Sequence, residues 1–199
     1  MKYPPAIQKL IDQLSELPTV GPKTAERYAL FLLKQSDAWL AGLAQSLQNF
    51  KSGFVYCSVC HALSATNPCS ICADAKRDLN LLCIVSETKD MLLIEDSRSY
   101  NGRYHILGGT LSAINHQGPE SLQINSLLSK LKHQPTIKEV ILALNPDFEG
   151  ETTSLYLKKL LADLPIRISR LARGLPTGAT LDYADQQTIA NALKFRNKY

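Results

Sequence analysis

Four cysteines, spaced Cys57-x2-Cys60-x8-Cys69-x2-Cys72, constrain this chain more than any other feature. Two Cys-x-x-Cys pairs this close can meet only if the segment between them folds back as a tight loop. Four thiolates at this spacing form the tetrahedral shell of a structural metal site, for zinc above all. A filled shell leaves no open position for water, which argues against catalysis at the metal. Iron–sulfur ligation and two disulfides would draw on the same four sulfurs. So short a segment buries little apolar surface, and a metal would supply much of its folding energy. His61 follows a ligand directly and reads as solvent-facing. Lys76 and Arg77 are balanced by Asp74 and Asp78, so no basic patch arises here.

Upstream, Ile7, Leu10, Ile11, Leu14 and Leu17 follow the spacing of a helix stripe. Pro18 stops that helix, because its ring excludes the preceding residue from helical angles. Pro22 suits the first turn of the next helix, whose stripe is Ala25, Tyr28, Ala29, Leu32 and Leu33. The turn leaves the first N–H groups of the second helix unpaired at the positive end of its dipole. Such a terminus binds phosphate without reading sequence. Lys23 and Arg27 are four apart and can flank one phosphate run. The stretch LPTVGPKTAERYA resembles a helix-hairpin-helix DNA-binding motif, with Thr19-Val20-Gly21 where that motif carries Gly-hydrophobic-Gly. Gly21, Lys23 and Arg27 are therefore candidate DNA-binding residues. A plain helical hairpin docking on the core is the alternative reading.

Downstream, residues 81–172 alternate strand and helix patterns. The apolar runs at 81–85 (LLCIV) and 140–144 (VILAL) suit strands covered on both faces, and a third strand is expected over 166–172. Cys83 lies within the first run and reads as a small buried residue. Helix periodicity follows in TKDMLLIED, at 122–131 and in TTSLYLKKLLADL; residues 102–109 are strand-like and 112–119 a polar loop. His105 and His116 have no catalytic partner at a recognisable spacing and read as ordinary strand or surface histidines. Acidic residues cluster where strands end: Glu87 after the first run, and Asp147, Glu149 and Glu151 after the second. Open α/β sheets place their sites at such carboxyl ends. Carboxylates also favour helix starts through the dipole, so capping is the competing role.

The charge pattern is uneven. Residues 1–56 carry six Lys/Arg against four Asp/Glu and residues 166–199 six against two, whereas 81–165 carry eight against ten. Basic ends around an acidic core permit a polyanion partner, and solvated surface charge explains them equally well. No run approaches the roughly 20 apolar residues of a membrane helix. The start, MKYPP, leads into an amphipathic segment and not a signal peptide, so a cytoplasmic location is expected. No G-x-x-x-x-G-K-[ST] loop occurs, which argues against a nucleotide hydrolase.

In this order, the hairpin, the cysteine array, LALNPDFEGETT and SRLARGLPTGATLDYADQQTI resemble the RecR family of bacterial recombination proteins over essentially the whole chain. The resemblance implies a multi-part α/β chain: a helix-hairpin-helix region at 1–53, a four-cysteine zinc finger at 54–77, a Toprim-like Rossmannoid α/β core at 78–172, and a C-terminal strand-helix oligomerisation segment at 173–199. It implies Zn2+ on Cys57, Cys60, Cys69 and Cys72, and a dimer-to-tetramer ring on DNA. It also implies partnership with RecO and RecF in loading RecA at single-stranded gaps. Catalytic Toprim domains place a glutamate after the first strand and a DxD after a later one. This chain has Ser86 at the first place, with Glu87 one residue late, and Asn145-Pro146-Asp147 at the second. The expectation is a non-enzymatic mediator with Glu87, Asp147, Glu149 and Glu151 as a partner-docking or acidic site. A magnesium-dependent Toprim-type DNA-cleaving enzyme is the alternative. Arg167, Arg170 and Arg173 line either a DNA-facing surface or an ordinary strand edge.

Overall fold

The computed structural model describes residues 3–196. The chain divides into two compact units, Met1–Phe54 and Val55–Tyr199.

Among the described residues, the first unit contains three α-helices: α1 (Pro5–Ser15), α2 (Pro22–Leu32) and α3 (Asp37–Asn49). Proline occupies the first turn of both α1 and α2, where a missing N–H costs nothing. α1 and α2 pack through Ile11, Ala25 and Ala29, flanked by Ile7, Leu10, Leu14 and Val20. α1 ends two residues before Leu17, which falls off the expected stripe and is exposed. Tyr28 and Leu33 of the second stripe are likewise exposed, so only the alanine side of α2 is buried inside the unit. The sequence reading did not anticipate α3. Ser36 starts it, its hydroxyl accepting from Trp39 N at 3.3 Å, and none of its residues is buried.

The second unit opens with a small antiparallel pair, β1 (Val55–Tyr56) and β2 (Leu63–Ser64), and one helical turn, α4 (Ser70–Ala73). There follow β3 (Asp78–Val85), α5 (Thr88–Asp96), β4 (Gly102–Ile106), α6 (Ile124–His133), β5 (Glu139–Leu142), α7 (Phe148–Leu160), β6 (Arg167–Arg170) and α8 (Gln186–Lys194). The four longer strands form a parallel sheet in the order β4-β3-β5-β6. Side chains alternate across it. Leu82, Ile84, Val140 and Leu142 pack with Leu127 and Leu131 of α6 and Leu157 of α7. Cys83, Val85, Tyr104 and Ile106 pack with Met91 of α5 and with the four paired cysteines. The cysteine segment thus shares a core with the sheet. It also covers the free edge of β4, where Ile106 N donates to Cys60 O at 2.8 Å. Because all four strands run the same way, Ser86 and the 143–147 segment reach one common rim.

Candidate metal centre and nucleic-acid interface

The Cys57, Cys60, Cys69 and Cys72 sulfurs all lie within 4.8 Å of one another, and Cys60 Sγ is 3.6 Å from Cys69 Sγ. Zinc–sulfur bonds of ~2.3 Å in a tetrahedron require sulfurs about 3.8 Å apart, so this spacing fits the ion. All four cysteines are unbonded, which removes the disulfide reading. Local backbone sets the cluster up. Cys57 N donates to Ala62 O and His61 N to Cys57 O, both at 2.8 Å, closing the first knuckle. Cys69 N and Cys72 N each stand 3.4 Å from a cysteine sulfur, Cys57 Sγ and Cys69 Sγ respectively, as donors to a thiolate would. The sulfurs share charge unequally. A hydrogen bond with Cys72 pulls Cys60 down to about 5, and the same bond pushes Cys72 up. A divalent cation removes this conflict, because it lets every ligand ionise.

His61 is not solvent-facing. Its Nε2 lies 2.6 Å from Ser126 Oγ of α6, and its ring packs edge-on against His105 at 5.2 Å. Burial lowers the His61 pKa. His105 is a strand residue with no surface: it is fully buried, and desolvation pushes it down to about 3. Its Nε2 donates to Gln123 O at 2.8 Å, which leaves Nδ1 to accept from Lys130 Nζ at 3.3 Å. Burial also lowers the Lys130 pKa, while the nearby cysteine sulfurs act in the opposite direction. These residues come from positions far apart in sequence, and no spacing signal joins them. His116 is exposed in the 112–119 loop.

In the hairpin, Gly21 is the residue before α2, in extended conformation, and no side chain caps the helix start. Thr24 N and Ala25 N donate to Gly21 O at 3.0 Å. Space beside Gly21 is open, and α2 has no acidic residue in its first turn. Lys23 and Arg27 are both exposed, and neither forms an ion pair among the described residues. Thr19 adopts φ +67°, the left-handed region that glycine would fill in the Gly-hydrophobic-Gly turn.

The acidic residues after the strands do not converge. Among the described residues, the cysteines are the only group of three or more Cys, His, Asp or Glu side chains close enough to share a metal ion. Ser86 is buried, and its hydroxyl donates to Asp90 Oδ2 at 2.7 Å; Glu87 N donates to the same oxygen at 2.9 Å. Glu87 stands exposed at the start of α5 and pairs with Lys89 at 2.9 Å. Asp147 caps α7, accepting from Gly150 N at 2.7 Å. Gly150 is needed there, because a Cβ would stand 2.1 Å from Asn145 O. Glu149 accepts from Thr110 Oγ1 at 3.2 Å. Glu151 is held by two arginines, Arg173 and Arg170, the latter at 3.4 Å, and Arg167 lies 4.0 Å from Glu139. Arg170 and Arg173 are therefore engaged by a carboxylate of their own unit, which favours the strand-edge reading for them, whereas Arg167 stays largely in solvent.

Family comparisons agree with this order. Models for the RecR helix-hairpin-helix, the RecR four-cysteine zinc finger domain, the Toprim domain and the RecR C-terminal region match residues 7–51, 55–74, 80–172 and 174–197. The recombination protein RecR of Synechocystis sp. is 48% identical over 196 residues, covering 98% of this chain and 84% of the relative. With four cysteines gathered at tetrahedral spacing inside a match to that zinc finger, the cofactor is a structural zinc. Helix-hairpin-helix, zinc finger and parallel Toprim sheet occur here in one continuous order, and the chain belongs to the RecR family of recombination proteins.

Proposed function

We propose that this protein is a non-enzymatic, sequence-neutral DNA-binding mediator of recombinational repair. It acts as a ring-like clamp or scaffold with RecO and RecF to help load RecA at single-stranded gaps. The observation that carries the reading is the open start of α2, with Lys23 and Arg27 exposed beside it and free of ion pairs among the described residues. Phosphate contacts of this kind position a protein without specifying sequence. In this reading the parts divide at 1–53, 54–77, 78–172 and 173–199, and the protein works in the cytoplasm. Self-association into a dimer-to-tetramer ring is supported by an apolar face of the first unit. Leu33, Leu43 and Leu47 are exposed there and line an apolar groove of about 330 Å3. The docking surface for protein partners is the rim of the parallel sheet, where Glu87 and Glu149 stand and exposed Ile114 and Phe148 line a hollow beside Glu149.

The Toprim-type nuclease reading requires carboxylates converging on magnesium. Glu151 committed to two arginines and Asp147 committed to a helix cap count against it. The test is a salt-dependent DNA titration of the native chain and of Lys23→Ala/Arg27→Ala, alongside a nicking assay with magnesium. The double variant is expected to lose affinity for all sequences alike and to flatten the log–log salt slope. Coincident titrations would remove the hairpin as the DNA-binding element. Sustained cleavage abolished by Glu149→Ala would restore the nuclease.

A further inference from the structure

We infer that Lys130 and Arg103 are the counter-cations of the zinc site, supplied by the α/β core to a metal held by the cysteine segment. The inference rests on the structural zinc. A divalent ion closed by four thiolates is a dianion, and a dianion taken out of water needs matching positive charge close by. A cavity of about 220 Å3 between the two parts of the second unit places the groups together. Cys72 and Val59 line it from the cysteine segment, Arg103 and Tyr104 from β4, Lys130 from α6 and Gln134 from just after it. Among the described residues, no carboxylate lines it.

Both cations lack an acidic partner among the described residues. Four other arginines of this unit, Arg77, Arg167, Arg170 and Arg173, each have one. Arg103 Nε is buried with no hydrogen-bond partner among the described residues, an orphan donor that costs stability unless an anion stands nearby. Lys130 is half-buried on α6 beside the buried Leu127 and Leu131 and reaches the buried His105, where an ammonium without a counter-charge is disfavoured. Its hydrogen-bond partner is the neutral imidazole of His105, which Gln123 O turns so that a lone pair meets the ammonium. His105 is thus a positioning residue, and two positive charges stand against a doubly negative site. The arrangement also explains how the core holds a segment with little apolar surface of its own.

The test is zinc competition with a chromophoric chelator on the full-length protein, its fold checked by circular dichroism. Lys130→Met and Arg103→Met should each weaken zinc binding about tenfold, the loss typical of outer-shell partners. Lys130→Arg should restore most of it, because charge and not shape is at issue. Leu131→Ala, a purely packing change one residue along α6, should lower thermal stability yet alter zinc affinity less than about twofold. Folded Met variants that hold zinc as tightly as the native chain would overturn the inference. So would Leu131→Ala weakening zinc as much as Lys130→Met does. If Lys130→Met does not fold, Arg103→Met decides by the same two outcomes, since Arg103 is only half-buried.

Discussion

Thr19 holds a backbone conformation that its side chain opposes. Val20 N donates to Leu17 O at 3.1 Å, Pro18 takes the second turn position, and Thr19 takes φ +67° at the third. That is the pattern of a type II turn, whose third position calls for glycine. A β-branched residue in the left-handed region carries about 1–2 kcal/mol of strain, partly offset by the greater entropy that glycine loses on folding. Thr19→Gly is therefore expected to stabilise the first unit by about 0.5–1 kcal/mol. The chain has one tryptophan, Trp39, which lies in that unit, so its fluorescence during denaturation reads the change directly. A lower midpoint would mean that the threonine side chain makes a contact worth more than the strain. The sequence already revealed the departure from Gly-hydrophobic-Gly. That Thr19 keeps the glycine conformation was not legible, because backbone angles at a turn follow from closure of both flanking helices.

The tie between α5 and the sheet is an ion pair that the sequence hid. Arg77 Nη1 donates to Glu95 Oε1 at 2.8 Å, Nη2 bonds the other oxygen, and Tyr104 Oη donates to Oε1 at 2.7 Å. The Arg77 and Glu95 side chains are only 12% and 22% exposed, so the pair is worth more than a surface bridge. The Arg77 hydrogen bond, aided by Tyr104, holds the Glu95 carboxyl below its ordinary value of 4.5. A carboxyl depressed in the folded state contributes stability above its unfolded pKa and loses it as pH falls through the folded one. Native stability should thus fall below about pH 4.5 as Glu95 protonates. Glu95→Gln should cost about 2–3 kcal/mol at neutral pH and show a smaller acid loss, measured as the difference between the two denaturation curves. Equal curves at pH 7 would sink the claim. Local pattern foretold that TKDMLLIED is a helix, because Asp90 sits where it can accept from Glu87 N and the apolar spacing is regular. It foretold the cysteine cluster for the same reason of spacing. Arg77 was expected to balance Asp74 and Asp78, and it does lie 3.9 Å from Asp74; its tighter pairing with Glu95, 18 residues away, leaves no periodic trace. That His61, His105 and Lys130 come together left no trace for this reason too. α3, by contrast, had a legible signal that went unread: Leu40, Leu43, Ala44 and Leu47 keep helix spacing behind the Ser36 cap.

Two exposed cations per chain make a weak grip on DNA. Each neutralised phosphate steepens the log–log salt dependence by ~0.9, so Lys23 and Arg27 alone would give a slope of about −2. The proposed ring would change this, because hairpins held in one particle engage the same duplex at high effective concentration. The contact proposed between copies is the apolar groove of the first unit, where Leu47 is 69% exposed although its helix is thirteen residues long and well capped. So much apolar surface is unfavourable in water unless something covers it, and a second copy presenting the same face is self-complementary. Leu47→Asp places a charge in that contact and should leave secondary structure intact while lowering the mass found by light scattering. The same variant should bring the DNA salt slope down toward the two-phosphate value and weaken binding to long DNA more than to an oligonucleotide covering one hairpin. If the mass is unchanged, α3 is not the contact between copies. If the mass falls but the slope stays steep, one chain already makes more phosphate contacts than Lys23 and Arg27 provide, and further cations must be sought on the basic C-terminal segment.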